Sequence, residues 1–210
     1  MERIDLATWE RREVFEIFSA GNWPFVSVTM PVDVTAAREF AKAHGLSFYM
    51  TMVWLCTKAL NAVPEFRLRV RGDEIVRLDR ADPSFTDIAP GSRTFKIVTL
   101  PWEPDLESFC AHAKEKSAAQ TVFMAHDDST DELIYFSCTP WFDFTGLTGE
   151  RSMGKDDTIP RVTWGKYFED KGRLWVHLAL EFNHRTVDGF HVGEFKRIPD
   201  EEIEKLGGAL

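Results

Sequence analysis

The chain has 210 residues, 44% of them hydrophobic and 28% charged, enough apolar material for a real core inside a water-facing surface. Lysine and arginine total 25 against 34 acidic residues, a formal charge of −9 that repels phosphate backbones and excludes generic nucleic-acid binding. The three cysteines, Cys56, Cys110 and Cys138, form no CxxC pair, so neither a disulfide framework nor a zinc site is expected and a reducing, cytoplasmic compartment is.

The opening MERIDLATWERRE is charged and lacks the apolar centre of a signal peptide. A helix is predicted over Asp5 to Phe18, with Thr8 as its N-cap and Glu10 in its first turn. FVSVTMPV, from Phe25 to Val32, alternates as a strand does, and Thr35 to His44 predicts a helix stopped by Gly45. Ser47 to Val63 carries apolar residues at helical spacing and ends before Pro64; its apolar run FYMTMVWLCTKAL contains Lys58 and is too short to span a bilayer. Phe66 to Val70 and Glu74 to Leu78 alternate on either side of Arg71-Gly72-Asp73, a hairpin signature. Thr94 to Leu100 predicts a strand, Asp105 to Ala119 an amphipathic helix, and Asp127 to Glu132 a solvated acidic loop. Leu133 to Thr139, Arg161 to Phe168 and Leu174 to Asn183 predict strands, and Glu194 to Leu206 a helix broken near Pro199. With no repeat, low-complexity tract or linker, residues 1–210 read as one domain. Strands and helices mix without regular βαβ alternation, which points to an α/β chain of the α+β kind: a two-layer sandwich whose mixed, mainly antiparallel sheet is covered by helices.

The chemistry concentrates in LALEFNHRTVDGFH, residues 178–191. Leu174, Val176, Leu178, Leu180 and Phe182 point one way, Trp175, His177, Ala179, Glu181 and Asn183 the other, and His184 comes next, where strand passes into turn. Such a histidine has two readings, a satisfied core residue or a general base on a rigid strand end, where its pKa suits proton transfer near neutrality. A base needs its Nδ1 proton held by an acceptor so that Nε2 is free. A metal role is not expected, because His184 and His191 are separated by a glycine-containing turn and no third ligand has a credible spacing.

NHRTVDGFHV resembles the HHxxxDGFH signature of the chloramphenicol acetyltransferase family. Four further stretches are similar to that family in the same order: WERREVFEIF at 9–18, AVPEFRLRVRGDEIVRLDRADPSFT at 62–86, SCTPWFDF at 137–144 and VTWGKYF at 162–168. The resemblance implies a trimer with active sites between subunits, acetyl-CoA as co-substrate rather than a resident cofactor, and a small hydroxyl compound as acceptor. It implies that His184 removes the hydroxyl proton and that Ser137, with Thr163 nearby, faces the oxyanion. Asp188 is implied to pair with Arg11 and fix the turn that aims His184, with Arg12 the alternative partner if the register slips. Trp141, Lys166 and Tyr167 are implied to meet coenzyme A, against plain roles as core or solvated edge residues. No nucleic-acid or membrane partner is expected.

The sequence also departs from that family's pattern. Asn183 stands at the first histidine of the HH pair, and Phe18, in the implied acceptor pocket, replaces a usual tyrosine. The NHRTVDG string is also similar to the acyltransferase core of 2-oxo-acid dehydrogenase complexes, whose usual upstream domains this chain does not show. Acyl transfer is therefore better supported than chloramphenicol as the acceptor; a different acceptor or acyl donor, and a non-catalytic ligand-binding relative, are the rival readings.

Overall fold

A computed structural model describes residues 1–125, 130–151 and 154–209. In chain order the elements are β1 (Glu2–Ile4), α1 (Arg12–Ser19), β2 (Phe25–Asp33), α2 (Thr35–Ala43), α3 (Phe48–Ala62), β3 (Leu68–Arg71), β4 (Glu74–Arg77), β5 (Asp82–Asp87), β6 (Lys96–Thr99), α4 (Leu106–Ala119), β7 (Leu133–Thr139), β8 (Arg161–Gly165), β9 (Phe168–Asp170), β10 (Arg173–Asn183) and α5 (Gly189–Gly208). The main sheet has the order β2-β10-β8-β7-β5-β6, with β9 beside β10; β5-β7 and β7-β8 are parallel and the other pairs antiparallel. A small sheet, β1-β4-β3, stands apart from it. This is the expected mixed sheet with helices packed on it.

The two faces of the main sheet result from its register. Across the strands run Phe85, Phe136, Val162, Leu180 and Val28, an apolar row that joins the core with α2, α3 and α5 against it. One residue along, the row on the opposite face reads Thr99, Ser84, Tyr135, Arg161, Glu181 and Ser27. Alternation of period two thus sorts grease from polar groups strand by strand. On the apolar face, among the other helices, α3 is apolar nearly all round, as a helix buried on most sides must be, and Ser47 caps it by accepting the Met50 N–H at 3.3 Å. Arg69, 1% exposed, ties the small sheet to the main one by donating to the carbonyls of Phe66, Leu68, Asp131, Leu133 and Thr158. Burial, offset by nearby Asp131 and Asp157, pushes its guanidinium down to about 10.

Several expectations need correction. The first helix starts at Arg12, not near Thr8; Thr8 instead closes a turn on Asp5. The hairpin's first arm begins as a 3-10 turn at Pro64–Arg67, because the proline starts a new turn after α3. The strand predicted over Arg161 to Phe168 is two, β8 and β9, separated at Lys166-Tyr167. β5 went unpredicted because Asp82-Pro83 reads as a turn, yet proline is tolerated at the start of a strand. In the acidic loop, residues 127–129 lie outside the described residues, whereas Asp131 is engaged: Arg71 donates to its two oxygens at 2.8 and 2.6 Å.

The largest correction concerns α5, which begins at Gly189 and runs unbroken past Pro199 to Gly208. An internal proline costs a helix about 3 kcal/mol. Here Val192, Phe195, Pro199 and Ile203 are buried, and α5 packs on α2 and α3, so tertiary packing outweighs the local penalty. If that is the cause, Phe195→Ala should destabilise the fold by about 3–5 kcal/mol in urea unfolding, the range for a fully buried phenylalanine.

Candidate active site

Strand β10 is the longest, and it pairs with β2 along one edge and with β8 and β9 along the other. His184 comes directly after its last residue, and its N–H donates to Pro24 O at 2.6 Å, carrying the β2 pairing one step past the strand. The ring is half-buried and stacks on Phe18, centroids 4.0 Å apart at 24°. Its Nδ1 is 2.9 Å from Val187 O. A carbonyl only accepts, so Nδ1 carries the proton of the neutral ring and Nε2 presents a lone pair. Nε2 has no hydrogen-bond partner among the described residues. The acceptor that sequence could not name is thus main chain from the same turn.

The residues flanking His184 hold that turn in place. Asn183, 1% exposed, donates from Nδ2 to Lys155 O at 2.8 Å and Asp157 O at 3.1 Å, while its Oδ1 accepts from Arg185 N and Nε. Arg185, 2% exposed, also donates to Lys155 O and to Asp156 Oδ1, and lies over the Phe15 ring of α1. Lys155 in turn donates to Ser19 O at the end of α1. In the sequence Asn183 stands out only as a departure from a family pattern, and Arg185 not at all. Alternation puts both on the polar side of the strand, so no sequence signal marks them for burial.

Arg11, rather than Arg12, reaches Asp188: Nη1 and Oδ2 are 2.5 Å apart, and Arg12 pairs with Glu16 on its own helix. Asp188 also caps α5, accepting the Phe190 N–H at 3.0 Å, while its own N–H donates to His191 Nδ1. It makes no contact with the His184 ring, so no Asp-His relay forms. Burial pushes the Asp188 carboxyl up, but the Arg11 hydrogen bond, then the charges of His191 and Arg11, outweigh it and leave it below the ordinary aspartate value.

Ser137 and Thr163 are opposite one another on parallel β7 and β8, on the polar face of the sheet. Ser137 Oγ is 3.2 Å from Thr86 Oγ1, and all three line a cavity of about 750 Å³ that Tyr135, Arg161 and Glu181 share. Thr86 was missed because β5 was; it closes the PSFT stretch of that strand. Gly149, Glu150 and residues 156–159 also line this cavity: Gly149 N donates to Glu181 Oε1 at 2.6 Å, and Asp157 Oδ2 pairs with Arg161 at 2.9 Å and Arg151 at 3.3 Å. His184 is not among the lining residues. Ala179 faces Thr163, and His184 stands five residues further along β10, about 16 Å at the usual rise, with Ser137 two strand spacings, about 10 Å, to the side. One copy of the chain therefore does not bring His184 and Ser137 together.

Trp141, Lys166 and Tyr167 do gather, at the opposite edge of the sheet where parallel β7 and β8 end. All three are exposed, Trp141 to 69%, and Lys166 N donates to Phe142 O at 2.9 Å. Phe18 contributes a face to the His184 ring, a contact not foreseen for it. Among the described residues no cluster of three metal-ligating side chains occurs, and no helix is long and apolar enough to cross a membrane.

Comparison with known proteins places this arrangement. The family model described as chloramphenicol acetyltransferase matches residues 1–198. The chain belongs to the chloramphenicol acetyltransferase family. It is 30% identical to chloramphenicol acetyltransferase 2 of Escherichia coli over 92% of each chain, and 26% identical to chloramphenicol acetyltransferase 3 of the same organism over the same share. A solved chloramphenicol acetyltransferase superposes with a TM-score of 0.88 at 28% identity, covering 95% of this chain and 98% of that one. A dihydrolipoamide acetyltransferase of Azotobacter vinelandii shares the fold at 17% identity, with a TM-score of 0.67 over 93% and 86% of the chains. The chloramphenicol acetyltransferase family is one of acyltransferases that use acetyl-CoA as co-substrate, so the chain is an enzyme of acyltransfer.

The Arg11–Asp188 pair sets a measurable acid limit on this turn. Because the folded carboxyl is depressed below the ordinary 3.8, its stabilisation is present above that value and lost as pH falls through the folded pKa. Arg11→Ala, which strands a carboxylate one-third exposed, should cost about 1.5–3 kcal/mol at neutral pH. The same unfolding measurements below the folded Asp188 pKa should find wild type and variant converging.

Proposed function

We propose that the chain is an acetyl-CoA-dependent O-acetyltransferase in which His184 is the general base. The observation that carries this reading is the His184 ring itself: Nδ1 engaged by Val187 O, one face against Phe18, and Nε2 unengaged among the described residues. That is the state a base needs before an alcohol arrives. Nε2 takes the acceptor hydroxyl proton as the oxygen attacks the thioester carbonyl. The tetrahedral intermediate places negative charge on the former carbonyl oxygen, and the Ser137 hydroxyl donates to it, with Thr163 beside it. Collapse breaks the carbon–sulfur bond, and the imidazolium returns its proton to the departing thiolate.

In this reading the single 1–210 unit works as a homotrimer in the cytoplasm, and each site is completed by Ser137 of one copy and His184 of another. The separation of the two residues within one chain supports this, as do the free Cys56, Cys110 and Cys138 for a reducing compartment. Trp141, Lys166 and Tyr167 would receive coenzyme A: two exposed aromatic rings suit adenine, and an ammonium suits phosphate against the acidic whole. The acceptor is chloramphenicol, and the activity antibiotic resistance, by analogy with the relatives' names. A second acceptor class is favoured by Arg161, Glu181 and Tyr135 in the cavity, which suit a more polar alcohol.

Thiol release from acetyl-CoA tests the reading with chloramphenicol and a panel of other alcohols. Wild type should release thiol with at least one acceptor, His184→Ala should abolish it, and Ser137→Ala should lower kcat about 10²–10³-fold. Equal rates in His184→Ala refute the base, and drug binding without turnover supports a non-catalytic relative. Sedimentation as a monomer would remove the shared site.

A further inference from the structure

The turn that carries Trp141 is fastened by a second histidine with no part in the proton transfer above. Phe142 N donates to Thr139 O, and Lys166 N donates to Phe142 O, so the turn leaves β7 and closes onto the end of β8. Gly165 is where the two meet. A Cβ there would stand 3.0 Å from Asp143 Oδ1, 3.1 Å from Asp143 Cα and 3.2 Å from Phe142 O, so the close approach favours glycine. Beyond this point β8 leaves the ladder with β10, and Lys166 and Tyr167 project before β9 resumes the pairing at Phe168.

Across this gap Asp143 reaches His177 of β10. Its Oδ1 and Oδ2 are 3.0 and 2.9 Å from His177 Nδ1. A carboxylate only accepts, so Nδ1 donates. Phe168 stacks on the other side of the contact, its ring 5.0 Å from the imidazole at 24°. The arrangement links the Trp141 turn, the Lys166-Tyr167 step and the strand that ends in His184.

We propose that His177 and Asp143 are positioning residues for the acetyl donor: their contact fixes Trp141 relative to Lys166 and Tyr167, so that ring and ammonium meet coenzyme A together. This rests on the reading that those three residues bind coenzyme A. Neither residue touches the proposed base or oxyanion donor, so the contact governs donor affinity and leaves the chemical step alone.

The test separates that dependence. Calorimetric titration with coenzyme A and thiol-release kinetics would be run on wild type, Trp141→Ala, His177→Ala and His177→Gln, with thermal melts to establish folding. His177→Ala should raise the coenzyme A Kd and the acetyl-CoA KM roughly tenfold, the loss of one hydrogen bond to a charged group, with kcat and acceptor KM within about twofold. His177→Gln, whose amide can donate to Asp143, should recover most of the affinity. If Trp141→Ala weakens binding while folded His177→Ala does not, the positioning role is overturned and the binding surface stands. If neither variant changes Kd, the assignment of this edge to coenzyme A fails as well. A fall in kcat without a change in KM also overturns the proposal.

Discussion

The placement of the two histidines that matter most to the candidate site hangs from β10 being bound on both edges. A strand hydrogen-bonded on each side has no freedom to twist or slide, and the eleven residues of β10 set the position of the turn attached to their end. His184 inherits that rigidity through its N–H to Pro24 O, before the turn begins. His177, further back on the same strand, borrows it to hold a different turn at the opposite edge. One element thus serves as the reference for both ends of the sheet.

The second constraint is the division of that sheet into faces. The apolar face is closed by α2, α3 and α5 and contributes the core. On the polar face, Gly149, Glu150 and residues 156–159 line the cavity, and what holds them there is electrostatic in character. Glu181 and Arg151 are buried, and burial together with Arg161's charge pushes the Arg151 guanidinium down to about 10 although Asp157 and Glu181 oppose it. Ion pairs there roughly offset their desolvation rather than adding much stability. What they contribute is a fixed geometry around the cavity that holds Ser137 and Thr163.

The sequence was most legible where local and global preferences agree. Period-two alternation in Leu174 to Asn183 marks which residues of β10 face the core, and Ser47 and Asp105 mark the starts of α3 and α4 as caps should. It was least legible where tertiary contacts override a local rule. Pro199 reads as a break, yet the apolar face of α5 carries the helix through it. Glu181 and Asn183 read as a solvent-facing row, yet both are buried and bonded to main-chain groups of Gly149, Lys155 and Asp157. The site divides the same way. Histidine, aspartate and their spacing were visible in the string, whereas a backbone carbonyl has no letter, so Val187 O could not be read. The roles proposed for Ser137, Arg11 and Trp141 came from resemblance, since nothing in their own sequence neighbourhoods distinguishes them from ordinary polar or aromatic residues.

The hydrogen bond from the His184 ring to Val187 O has a bearing on how such a site can change over generations. A carboxylate that orients a histidine can be lost by one substitution, but every residue at position 187 supplies a carbonyl. The tautomer of His184 is therefore guarded by a group that point mutation cannot delete, only displace by moving the turn. The orientation of the ring persists whatever side chain position 187 carries, so long as the turn keeps its course.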